Sequence, residues 1–171
     1  MRQLAKAFFD IAIWRRTPAH LPASLFLLAL VSAAAALLDV AGALLLPGPN
    51  DKIVLQVALD LGLPLAFAWA VLRLARRRQR FLQTAIALIG MGVLVDLVAF
   101  PADALLRVVG TDRFASIPLA ILFYAGLIWY LLACAHIWRA ALDSGVILGG
   151  VISLGFFVLS TALAQQLLPQ A

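Results

Sequence analysis

Five apolar runs divide this chain, at residues 21–46, 53–74, 81–106, 117–138 and 146–168. Each comes close to or exceeds the ~20 residues that an α-helix needs to cross ~30 Å of hydrocarbon. Lipid offers the backbone no hydrogen-bond partners, so a spanning segment must satisfy its own N–H and C=O groups. Runs this long and continuous do so as helices. The pattern predicts an all-α polytopic membrane bundle of about five transmembrane helices, one membrane domain over residues 1–171. Composition agrees: 65% of residues are apolar and 12% charged, too little polar surface to coat a soluble globule.

The breaks between runs have physical causes. Pro47-Gly48-Pro49-Asn50-Asp51 cannot continue a helix and reads as a tight turn. Arg76-Arg77-Arg78-Gln79-Arg80 is too charged for lipid. Gly110-Thr111-Asp112 with Pro118 makes the third break, and Asp143-Ser144-Gly145 the fourth, where Asp143 or Ser144 can cap the last helix. The first run is too long for the 7–15-residue core of a signal peptide, so an uncleaved span is expected.

Alternation of the spans sorts the basic residues onto two sides. One side receives Arg2, Lys6, Arg15, Arg16, Arg73, Arg76, Arg77, Arg78, Arg80 and Arg139, and the other Lys52, Arg107 and Arg113. The richer side is expected in the cytoplasm, with the N-terminus there and the C-terminus outside. The net charge of +5 is then a topology signal, and nucleic acid is not expected as a partner. Arg15, Arg16, Arg76, Arg77, Arg78 and Arg80 are expected to set topology and meet lipid phosphates.

Residues 1–17 form a separate element. Leu4, Phe8 and Ile11 recur at helical spacing, with Trp14 nearby and Lys6 and Asp10 on the other side. Thr17-Pro18 ends the pattern. A short amphipathic helix lying on the cytoplasmic interface is predicted, serving as an anchor or as a docking surface for a partner.

Three carboxyls interrupt the apolar runs away from their ends: Asp39, Asp60 and Asp96. A charge at such depth costs about 2.5–3.5 kcal/mol on insertion scales, so these side chains are expected to face the bundle interior. Counted from Leu25, Leu74 and Phe81, all three lie ~21–22 Å from the cytoplasmic edge at ~1.5 Å per residue. No Lys or Arg shares that level. Carboxyls clustered without a cation cannot all stay charged, so at least one is expected to be protonated and to donate a hydrogen bond. The cluster reads as polar glue between helices, helped by Ser32, or as a proton or cation site. Pro64 and Pro101 each free a carbonyl next to these acids, as in the broken helices of ion-coupled transporters.

Gly145 and Gly149 carry the GxxxG spacing that lets helices approach closely, within the chain or in a homodimer. Cys134 reads as a small buried hydrophobe. His136 reads as interfacial, and Trp14, Trp129, Tyr130 and Trp138 fit interface belts. No phosphate loop, HExxH, paired CxxC or GxSxG is present, so no enzyme activity, metal or cofactor is expected.

Arg80-Phe81-Leu82-Gln83-Thr84-Ala85, then Ala87-Leu88-Ile89-Gly90-Met91-Gly92 and on to Pro101, resembles the bacterial branch of the Yip family. The resemblance continues from Trp129 to Gly149. It implies five helices, a cytoplasmic N-terminus, a place in the bacterial inner membrane and a non-catalytic role in membrane organisation or partner binding. The long polar N-terminal region of eukaryotic members has no counterpart in residues 1–20, so binding of a Rab-type GTPase is not expected. The sequence thus leaves three roles open: a Yip-like organiser, a small proton- or cation-coupled permease using the acids, and an accessory subunit of a larger membrane complex.

Overall fold

The computed structural model describes residues 8–45, 52–109 and 113–168. Five long helices follow one another: α1 (Leu25–Leu45), α2 (Ile53–Leu74), α3 (Phe81–Val109), α4 (Arg113–Leu142) and α5 (Val146–Leu167). All five are long and apolar enough to cross a membrane. The chain is an all-α bundle, as its apolar runs predict. The turns expected at 47–51 and 110–112, the residues Leu4 and Lys6, and the C-terminal residues 169–171 lie outside the described residues.

Helix ends explain where the boundaries differ from the apolar runs. α1 begins at Leu25, after Pro22, with Ser24 as its cap: the Ser24 hydroxyl accepts from the Leu27 N–H at 3.4 Å and its carbonyl from Leu28. α4 runs through Pro118 and reaches four residues past Trp138, and α3 runs through Pro101 to Val109. α2 is likewise continuous through Pro64. The freed carbonyls therefore sit in unbroken helices. Neither Asp143 nor Ser144 caps α5; Gly145 occupies that position.

One end of the bundle holds the arginines. There the turn at 8–12, α2 and α4 each terminate on a left-handed residue: Trp14 (φ 64°), Arg76 (φ 56°) and Asp143 (φ 57°). The next N–H reaches back five residues in each case, Arg15 to Asp10, Arg77 to Leu72 and Ser144 to Arg139. This is the Schellman arrangement that satisfies the last free carbonyls of a helix.

The dry core fills the half of the bundle nearest that end. It is built from Leu27 and Val31 of α1, Ala68 and Leu72 of α2, Ile86 to Met91 of α3, and Ala133, Ile137 and Trp138 of α4. α3 is the central helix, packed against α1, α2 and α4. α4 and α5 form the tightest pair. A Cβ on Gly149 would collide with the Ala135 carbonyl oxygen and lie 3.0 Å from the Arg139 nitrogen. One turn on, the buried Ser153 donates 2.9 Å across the interface to the Leu131 carbonyl. Gly145, at the other end of the GxxxG spacing, meets nothing within 4 Å.

Of the helix expected over residues 1–17, residues 8 onward are described. Residues 8–12 are helical and pack against the bundle. Ile11 and Ala12 are buried, and so is Asp10, at 8% exposure. The Phe8 ring occupies the space that a Cβ on Gly90 would need. The Trp129 indole donates 3.1 Å to the Ala12 carbonyl, His136 Nε2 donates 3.1 Å to that of Arg16, and Gln83 reaches the carbonyls of Ala19 and Leu21. Asp10 avoids an unpaired burial by holding the Arg16 Nε at 3.2 Å.

Candidate functional site

The half of the bundle away from the arginines is not filled. A cavity of about 400 Å³ opens between the helices, and Asp39 of α1, Asp60 of α2 and Asp96 of α3 all line it. The remaining two helices also contribute polar groups, Tyr130 from α4 and Ser160 from α5. Ser160 stands 14 residues into α5, the same ~21 Å from the arginine-rich end as the carboxyls, and Tyr130 stands ~18 Å from the end of α4. Every spanning helix therefore places a hydrogen-bonding side chain in one layer. Gln56, Ala164 and Leu168 carry the cavity wall to the helix ends on the far side.

Among the described residues, no Lys or Arg lines the cavity beside the acids. Asp39 and Asp96 both lie within electrostatic reach of Asp60. One carboxyl oxygen of Asp39 is buried and has no hydrogen-bond partner among the described residues. Leu59, Leu63, Val93 and Phe156 separate the polar groups with apolar wall. A cavity of this size and polarity has room for on the order of ten waters, which would satisfy such groups. Among the described residues, no three His, Cys, Asp or Glu side chains converge to hold a metal ion. The arrangement suits protons or a loosely held cation better than a tightly ligated metal, which needs converging oxygens at fixed short distances. Ser32 does not reach the cavity wall.

Two further groups of residues find different settings. Trp129, Tyr130 and Trp138, read as belt residues, turn inward: onto the Ala12 carbonyl, the cavity and the dry core respectively. Their apolar runs hid this, because an aromatic residue within such a run looks the same facing lipid or protein. Trp14 is exposed, and Trp69, also exposed, carries the Arg73 guanidinium 4.8 Å above its ring. Among the arginines, Arg16 pairs with Asp10, while Arg77 and Arg80 reach Asp143 at 3.5 and 3.7 Å. Arg80 also donates to the carbonyls of Ala140 and Ala141. Arg15, Arg76 and Arg78 are exposed. Arg16, Arg77 and Arg80, expected to meet lipid phosphates, thus also tie segments together within the protein. Gln56 and Ser160 were missed in the sequence, although Ser160 was open to the same count of residues that aligned the acids.

No family model, curated protein or solved structure matches this chain.

Proposed function

We propose that this protein is a small proton- or cation-coupled permease whose coupling site is the layer of Asp39, Asp60 and Asp96. One observation carries the reading: five helices each commit a polar side chain to a single cavity in an otherwise apolar bundle. Intramembrane acids are expensive, and polar glue alone needs direct contacts between the groups, not a cavity between them. Protonation or cation binding removes the repulsion among the carboxyls. Occupancy of the site is thereby coupled to the spacing of α1, α2 and α3.

The count of basic residues, ten against three, supports placing the arginine-rich end in the cytoplasm of a bacterial inner membrane. The cavity then faces the outside. A second reading keeps the Yip-like role in membrane organisation, in which the protein is not an enzyme and meets a membrane-protein partner or a second copy. The loops tied together at the arginine-rich end favour it, since they make a rigid surface there. Purified protein in proteoliposomes decides between the two. Under an imposed pH gradient and membrane potential, the permease reading expects a flux that Asp60→Asn and Asp96→Asn each abolish. A flux unchanged in both variants, or no flux from well-folded wild type, removes it.

A further inference from the structure

We propose that Phe156, Phe67 and Trp138 form the permeability barrier of this protein, the layer that separates the acidic cavity from the arginine-rich side. This deepens the permease reading, and rests on it only for the purpose of the barrier. Phe156 lines the cavity on its α5 side, and Leu88 and Ile89 line it on its α3 side. The Phe67 ring of α2 lies against it, with centroids 5.1 Å apart, and Trp138 of α4 meets Phe67 edge to face at 5.7 Å. The rings descend stepwise. Counted from the helix ends, Phe156 sits ~15 Å, Phe67 ~10 Å and Trp138 ~6 Å from the arginine-rich end. Three helices thus place an aromatic ring in one column that begins at the cavity and stops one turn short of the opposite surface.

The surroundings make this column the weakest part of the wall. On the α3 side the route is closed by Ile86 to Met91, all buried or nearly so, with the helix backbone behind them. α2 and α5 touch each other only briefly. The space between them is filled by the Phe67 and Phe156 rings, both only partly buried, over Trp138 at 1% exposure. An aromatic ring can leave such a position by a rotamer change, which a packed backbone cannot do. Two residues before Trp138 and about half a turn around α4, His136 bonds the Arg16 carbonyl of the N-terminal segment.

The test uses cysteine accessibility, which does not require flux. In the full chain carrying Cys134→Ala, Ser160→Cys reports the cavity, and a membrane-impermeant methanethiosulfonate is added to one face of oriented vesicles at a time. The barrier predicts labelling from the cavity side alone. Phe67→Ala then opens labelling from the arginine-rich side, at a rate within about tenfold of that from the cavity side, a difference of no more than ~1.4 kcal/mol in barrier. Labelling from the cavity side in the same variant certifies the fold. Should Phe67→Ala not fold, Phe156→Ala, at the cavity edge, carries the same expectation. Labelling from both sides in the parent overturns the proposal. So does a folded Phe67→Ala or Phe156→Ala variant that stays closed to the arginine-rich side. A null flux measurement beside a positive labelling result would remove the permease reading and leave the barrier standing.

Discussion

Arg80, just before α3, donates a hydrogen bond of 2.8 Å to the carbonyl oxygen of Ala140, near the end of α4. The same nitrogen reaches the Ala141 carbonyl at 3.1 Å, and the other terminal nitrogen faces Asp143. One arginine thereby takes up carbonyls beyond the one that the Schellman turn at Asp143 satisfies, and fastens two loops distant in sequence. Hydrogen bonds to charged groups contribute about 1.5–3 kcal/mol each when buried, and less at a half-exposed site. Arg80→Ala is expected to cost about 2 kcal/mol, or ~4–8 °C in a detergent thermal melt. Arg78→Ala, at an exposed position, should stay within ~0.5 kcal/mol of the parent.

Arg76 holds a left-handed backbone at the end of α2, at φ 56°. An L-residue with a Cβ pays roughly 1 kcal/mol for that conformation, which glycine adopts freely. Arg76→Gly is expected to raise thermal stability by up to ~1 kcal/mol, and Arg76→Val to lower it. A β-branched side chain crowds the left-handed region most. The comparison is a pair of melts in the same detergent.

The indole of Trp129 holds the N-terminal segment through the Ala12 carbonyl. Trp129→Phe removes that N–H and keeps most of the apolar area. Losing ~1 kcal/mol should raise the open population of the segment about fivefold. Trypsin cutting at Arg15 and Arg16 should accelerate by the same factor, read on a gel time course. Unchanged cutting would mean that packing of Phe8, Ile11 and Ala12 suffices.

Much of this organisation is written in the sequence, and the reasons for the remainder are particular. The spans are legible because lipid demands long apolar runs, and the depth of Asp39, Asp60 and Asp96 because helical rise is constant. The N-terminal segment is not, because an amphipathic pattern cannot say whether its apolar face meets lipid or a groove between α3 and α4. Asp10 sits on the side that periodicity assigns to water and is buried beside Arg16. Arg77 and Arg80 look like any basic loop, since their partner Asp143 is far away in sequence. Gly145 and Gly149 are equivalent in spacing, yet only Gly149 touches α4. The rotation of α5 decides that, and spacing does not contain it.

That difference between glycines is measurable. Gly149→Val would drive a branched side chain into the backbone at Ala135 and Arg139, where no flexible group can yield. Overpacking of this kind costs typically ~1–3 kcal/mol. Gly155→Ala, where nothing lies within 4 Å, should be neutral or slightly stabilising because alanine favours helix. Equal effects of the two substitutions in detergent melts would contradict the packing of α4 on α5.

Proton or cation coupling requires that Asp39, Asp60 and Asp96 share one water-accessible site. Infrared difference spectroscopy of the protein in bilayers, titrated between acid and alkaline pH, reads protonated carboxyls directly through their C=O stretch. The expected result is a band that shifts in D₂O and shrinks in Asp39→Asn, Asp60→Asn and Asp96→Asn alike. Each substitution should also displace the titration of the remaining two acids, since the three lie within electrostatic reach of one another. A band blind to D₂O, or three acids that titrate independently, would contradict a shared hydrated site.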